Sequence, residues 1–231
     1  MIVLALETSA LAGSVALFDG DRLLAARELD PARRSAQTFA PAIAELLATA
    51  GIVPRDVKLV ATTVGPGSFT GLRVGVTAAK TFAYAVGAEV LGLNTLEVIA
   101  AQTPLELLEN DAAEVQAVID AQRKELYVGR FSGREFAPLA ANAIVPEQAW
   151  LDALLPGTIV TGPGLARLES RLPAGVVAVE RPFRQPQAFT VGKLAWRDYR
   201  RGRRDDLWKL APAYLRASAA EEKAAKSAAP P

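Results

Sequence analysis

The chain of 231 residues has no cysteine and no histidine. The first absence excludes disulfides, thiolate metal sites and thiol nucleophiles, and suits a reducing compartment. The second removes the commonest general base near neutral pH and the commonest transition-metal ligand. Any chemistry must rest on carboxylates, hydroxyls, lysine or arginine. Charge of one sign is not in excess either. With 26 Lys and Arg against 25 Asp and Glu the net charge is +1, so only a local patch can attract nucleic acid. No uncharged run of about 20 apolar residues is there to span a bilayer. The opening Met1-Ile2-Val3-Leu4-Ala5-Leu6-Glu7 has no basic leader, and reads as a buried strand rather than a signal peptide. The expected address is the cytoplasm, with no membrane partner.

Half of the chain is hydrophobic (51%), enough for one sizeable core or two small ones. The first hundred residues read as three strands, then helix, strand, helix, strand, helix. Ile2 to Glu7 is a continuous apolar run, and Gly13 to Asp19 and Arg22 to Glu28 flank the hairpin signal Asp19-Gly20-Asp21. Asp30-Pro31 starts a helix that runs to about Ala50 and stops at Gly51. Strands follow at Val57 to Val64 and Glu89 to Leu93. The second half repeats the order more weakly: strands at Val115 to Ala121 and Glu125 to Phe131, a helix at Pro146 to Leu154, strands at Thr158 to Thr161 and Val176 to Val179, and a helix at Val191 to Arg200. The reading is two α/β lobes with mixed sheets, 1–104 and 105–216, and a flexible Ala-rich tail, 217–231.

The helix from Thr70 to Gly87 has charge only at Arg73 and Lys80. A surface helix normally carries a polar face. Gly71, Gly75, Ala79, Ala83 and Gly87 recur every fourth residue as a small-residue ridge, suited to close approach of another helix. The helix before it, Ser35 to Ala50, has one charge, Glu45. Two such helices side by side need a cover, either a partner or other parts of the chain.

Gly65-Pro66-Gly67-Ser68-Phe69-Thr70-Gly71 joins a strand to that ridge helix. It lacks the Gly-Lys-Ser/Thr ending of a Walker loop and the G-x-G-x-x-G spacing. Two readings remain: a tight turn with Ser68 or Thr70 as N-cap, or a phosphate contact made by Gly65, Gly67, Ser68, Thr70 and Arg73.

GPGSFTGLRVG, from Gly65 to Gly75, resembles the signature of the TsaB family, also called YeaZ. The resemblance extends through Leu6-Glu7-Thr8-Ser9, Gln37, Pro41, Asn94-Thr95-Leu96, Asp120-Ala121 with Glu125 and Tyr127, Gly162-Pro163-Gly164 and Pro212-Ala213-Tyr214-Leu215-Arg216. It covers about Met1 to Arg216. It implies a duplicated, ribonuclease-H-like fold of the actin, sugar-kinase and Hsp70 type. It also implies a non-catalytic subunit that scaffolds and activates TsaD in forming N6-threonylcarbamoyladenosine beside the tRNA anticodon, with a TsaE-like ATPase joining through the complex. The family's two contact helices, which pair two copies when TsaD is absent, match Ser35 to Ala50 and Thr70 to Val86. The expected interface is therefore Phe39, Ile43, Leu46, Gly71, Leu72, Gly75, Val76, Ala79, Phe82 and Ala83. No catalytic residue, metal or cofactor is expected, beyond a nucleotide at the shared interface, and tRNA contact only indirectly or weakly.

Departures from the family pattern are Glu7 where an aspartate is frequent, Ser35 where a histidine is, and Gln122 where an arginine is. A small-molecule kinase or ATPase of the same superfold is the alternative, since Glu7, Asp19, Asp120 and Glu125 stand on strands where such enzymes place acids. From Arg181 to Arg204, eight basic residues face one acid, Asp198. That stretch is either a tRNA contact or a solvated helix end paired by Asp205 and Asp206. Trp196, Tyr199 and Trp208 are expected in the core or as anchors.

Overall fold

The computed structural model of the chain describes residues 1–10, 12–30, 35–108 and 113–216, the side chains of 35–37 excepted. The helix start expected at Pro31, the side chains of Ser35 and Gln37, and the Ala-rich tail lie outside the described residues.

Two mixed sheets share one strand order. The first is built from β1 (Ile2–Glu7), β2 (Ser14–Asp19), β3 (Arg22–Glu28), β4 (Val57–Gly65) and β5 (Glu89–Asn94), ordered β3-β2-β1-β4-β5. The second holds β6 (Glu114–Asp120), β7 (Glu125–Ser132), β8 (Ala137–Pro138), β9 (Ala143–Pro146), β10 (Ile159–Thr161) and β11 (Val177–Ala178). Its order is β11-β10-β6-β7, with β8 and β9 both pairing on β7. In each sheet a meander is antiparallel and the later strands add in parallel. The third position of the second meander is split between two short strands, which the proline- and alanine-rich 137–146 segment hid from its sequence pattern.

Five helices complete the fold: α1 (Ser35–Thr49), α2 (Phe69–Val86), α3 (Thr95–Ala100), α4 (Glu147–Asp152) and α5 (Ala188–Arg200). Alternation along β1 assigns them to faces. Leu4 and Leu6 point into a core with Phe39 and Ile43 of α1 and Val76 and Ala79 of α2. Val3 and Ala5 point the other way, into a core with Val191, Leu194 and Ala195 of α5. Buried on both sides, β1 needs no polar face, which is why it reads as an unbroken apolar run. α3 lies between the sheets: Val98 joins the core of Val3 and Ala5, and Leu96 and Ile99 join Val115, Ala117 and Phe131 of the second sheet.

The placement of α5 corrects the sequence reading, which put it in the second half. Its main contacts are with the strands of the first sheet, β1 above all. At Gly192 a Cβ would stand 2.1 Å from Phe18 Cε2, so the helix sits directly on that ring. The chain thus returns after the second sheet to cover the open face of the first.

Candidate functional site

Ser68 caps α2, its Oγ accepting from Gly71 N at 3.2 Å, and Gly87 ends it with φ of 69°. Between these caps the small-residue ridge faces inward, onto the chain's own sheet. A Cβ on Gly71 would stand 1.9 Å from Thr8 O, and one on Gly75 2.3 Å from Thr8 Oγ1 and 3.0 Å from Thr62 Oγ1. Thr8 Oγ1 in turn donates to Gly71 O at 2.8 Å. The glycines let the helix settle onto β1 and β4, and Ala79 and Ala83 are buried in the same layer. Of the expected interface, every residue but Phe82 is buried by the chain itself.

The outward face lies one step round the helix. Thr70, Arg73, Thr77, Thr81 and Ala85 are exposed, and with Ala78 and Phe82 they form one wall of a groove of about 870 Å³. Phe39, Ala40, Ile43, Ala44 and Leu47 of α1 form the other wall. Arg73 is the only charged side chain in this lining among the described residues. Phe39, Ile43 and Phe82 are the expected interface residues that line it. Sequence reasoning missed Ala40, Ala44, Thr77 and Thr81. The signal was available, since Thr77 and Thr81 are four apart and sit on the face away from the glycines.

The loop before α2 is a clamped turn. Ser68 N donates to Ser9 O at 2.8 Å and Ala213 N to Val64 O at 2.7 Å. Added Cβ atoms on Gly65 and Gly67 would stand 2.6 Å from Ala213 O and 2.8 Å from Ser9 Cβ. Of the five candidate phosphate contacts, Gly65, Gly67 and Ser68 are engaged in this packing. Thr70 and Arg73 stand at the mouth of the groove. The Arg73 guanidinium lies 3.9 Å from the centre of the Phe69 ring, and its Nε donates to Tyr214 OH at 3.0 Å. Phe69 and Tyr214 stack at 4.9 Å.

The candidate acids do not converge. Glu7 is fully buried, its Oε1 accepting from Ser9 N at 2.5 Å and Ser9 Oγ at 2.6 Å. Burial pushes its carboxyl above the usual range, against the opposing pull of the Ser9 hydrogen bonds. Asp19 is held by the Met1 ammonium at 2.8 Å, Asp120 by Arg167 at 3.1 Å, and Glu125 by Arg216. Among the described residues no three His, Cys, Asp or Glu side chains are grouped to hold a metal ion.

The basic stretch is largely paired. Arg184 binds Glu169 with two nitrogens at 3.0 Å each, Arg197 binds Glu97 at 2.6 Å, Arg201 binds Glu135 at 2.6 Å, and Arg203 binds Asp198 and Asp205 at 3.0 Å. Asp206 pairs instead with Lys209, at 3.9 Å. Trp196 and Tyr199 are partly buried in the α5 core. Trp208, expected inside or as an anchor, is 72% exposed and packs edge-on against exposed Tyr84 at 5.6 Å.

Comparison with known proteins adds to this geometry. The family model described as "TsaD: tRNA N6-adenosine threonylcarbamoyltransferase" matches residues 30–194. The "tRNA threonylcarbamoyladenosine biosynthesis protein TsaB" of Haemophilus influenzae is 30% identical over 233 residues, 94% of each chain. The solved structure "YeaZ from Pseudomonas aeruginosa" superposes with a TM-score of 0.76 at 28% identity, covering 93% of this chain and 99% of that one. The chain belongs to the TsaB (YeaZ) family. Matches to the TsaB proteins of Bacillus subtilis and Escherichia coli are shorter, spanning 66% and 57% of those relatives at 28% and 34% identity. An activator of 2-hydroxyisocaproyl-CoA dehydratase from Clostridium difficile, 9% identical with a TM-score of 0.50, shares the fold alone. The fold of this TsaB-family chain is thus of the actin, sugar-kinase and Hsp70 type. No helix among the described residues is long and apolar enough to cross a membrane.

Proposed function

We propose that this chain serves tRNA threonylcarbamoyladenosine biosynthesis as a non-catalytic subunit, binding a TsaD-family chain through the α1–α2 groove. The observation that carries the reading is the groove itself: an apolar recess between two surface helices, with a single charge in its described lining. Exposed apolar area of this kind marks an interaction site in a folded protein. The family assignment supports the same partner, since the matching family model is named for the transferase.

A non-catalytic role fits the scattered, internally paired acids. The two α/β lobes, the first of them completed by α5 from late in the chain, act as a scaffold, TsaD performs the transfer, a TsaE-like ATPase joins through the complex, and two copies of this chain pair over the groove when TsaD is absent. A nucleotide held at that interface would meet Thr70 and Arg73 at the groove mouth. The deciding experiment is co-purification with the TsaD of the same organism, with ATP turnover of the isolated chain measured beside it. Stable mixed complex and no turnover are expected. Robust ATP hydrolysis by the isolated chain, lost on Asp120→Asn, would instead establish a kinase or ATPase.

A further inference from the structure

We propose that the surface meeting a TsaD-family chain continues from the α1–α2 groove across α2 onto the segment 205–216, where Trp208 and Tyr84 form an aromatic anchor, an inference that rests on the proposed partner role of the groove. After α5 the chain meets the edge of the first sheet. There Asp205 forms an antiparallel bridge with Val90 of β5, and its Oδ2 accepts from Gly92 N at 2.8 Å. The segment then runs along α2, with Leu207 and Leu210 packed into the core of α1 and α2. The two charged side chains of α2 both hold it. Lys80 Nζ donates to Trp208 O and to Leu210 O, each at 3.0 Å, and Arg73 Nε donates to Tyr214 OH at 3.0 Å. Asp206 closes a turn at the same place, its Oδ1 accepting from Trp208 N at 2.7 Å. With this backbone fixed and the two leucines turned inward, the indole of Trp208 is left outside.

Trp208 is 72% exposed and the Tyr84 ring beside it 68%. Among the described residues the exposed tyrosines and tryptophans are Tyr84, Trp208 and Tyr214, and all three lie on α2 or on this segment, with exposed Leu215 next to the last. These are the side-chain types that dominate binding energy where proteins meet, because they bring large apolar area at little cost in freedom. Their backbone is already held by Lys80 and Asp206, so little more is lost on binding. The patch is continuous with the groove. Tyr84 comes three residues after Thr81 and seven after Thr77, so it shares the outward face of α2 with these two groove residues. α2 is thus a ridge between α1 and the 205–216 segment, and Phe69 and Arg73 border both the groove and Tyr214. Size argues the same way. A stable interface takes about 20–30 residues a side, and the groove is lined by fifteen. A chain seated in the groove that also covers the outward face of α2 meets Tyr84 and Trp208.

The test is isothermal titration of TsaD with the parent chain, Trp208→Ala and Tyr84→Ala. Both rings project into solvent, so both variants should melt with the parent. Tyr84→Ala also leaves the Lys80 contacts to the segment untouched, which separates a lost contact from a loosened backbone. Each variant should bind TsaD more weakly by about 10-fold or more, the loss expected of an aromatic anchor. Parental affinity in both folded variants overturns the proposal, and if Thr81→Arg weakens binding in the same series the groove reading survives alone. Weakening by Trp208→Ala only, together with a lower Tm, marks a loosened segment and likewise overturns it. A parent chain that does not bind TsaD overturns the groove reading and this one together. Gel filtration of the isolated chains and titration with a tRNA transcript test the other occupants. Loss of self-association with parental TsaD affinity assigns the rings to a second copy of the chain, and loss of tRNA binding with parental TsaD affinity assigns them to base stacking. Either result overturns the proposal.

Discussion

Thr8 and Gly75 meet where β1 ends beneath α2, so closely that a Cβ on Gly75 would stand 2.3 Å from Thr8 Oγ1. The contact turns the meaning of the small-residue ridge inside out. Glycine within a helix costs about 1 kcal/mol relative to alanine, and here the return is close seating of α2 on its own sheet. The open groove lies on the threonine side of the same helix.

Gly71→Ala tests the inward assignment. Its new Cβ would meet the Thr8 carbonyl oxygen, which is backbone and cannot swing away. Overpacking of this kind costs about 1–3 kcal/mol, and each kcal/mol lowers Tm by about 2–4 °C in a chain of this size. Thermal denaturation should show that drop. A Tm equal to the parent's would mean that the ridge is not packed as described.

Much of the first sheet and the two helices on one of its faces, α1 and α2, could be read from the sequence, because their signals are local. Ile2 to Glu7 is apolar throughout, Asp19-Gly20-Asp21 marks the hairpin with Gly20 at φ of 63°, and Gly51 and Gly87 end their helices in the left-handed region. What the sequence hid depends on distant contacts. That α5 covers the first sheet is settled by Phe18 and Gly192, which are 174 positions apart in number. That Gly71 and Gly75 face Thr8 is likewise a tertiary fact. The groove was legible only as an excess of apolar surface, since periodicity tells which residues share a face but not which face is left uncovered. The exposure of Trp208 had no sequence signal, and an indole near a basic helix end reads as an anchor.

Glu7 predicts a pH dependence. Its carboxyl is raised above the usual 4.5 by burial, so between 4.5 and the raised value the folded chain binds more protons than the unfolded one. The stabilising contribution of the neutral acid is complete below 4.5 and is lost as pH rises through the folded value. Glu7→Gln keeps a neutral side chain at every pH and can still hydrogen-bond its buried neighbours Ser9 and Thr63. Its Tm should exceed the parent's at pH 8, and the difference should diminish toward pH 4.5. A variant less stable at pH 8 would show that the buried carboxylate is favourably held.

Glu169 has the opposite sign. Hydrogen bonding to Arg184 draws its carboxyl down to about 2, and Arg184 itself is only 5% exposed. The contribution of the pair is present above the usual carboxyl value of 4.5 and is lost as pH falls through about 2. Glu169→Gln should therefore melt below the parent at neutral pH, with the gap closing as pH falls from 4.5 toward 2. A pH-independent gap would contradict the ion pair as its source.

Association through the groove is tested most directly by isothermal titration of the chain with TsaD, comparing the parent with Thr81→Arg. Thr81 is exposed in the groove wall, so the fold should be kept, while a guanidinium forced into an apolar interface should weaken binding by about 100-fold or more, as disrupting a central interface residue does. Unchanged affinity in a folded Thr81→Arg variant would contradict the claim that α1 and α2 form the partner face.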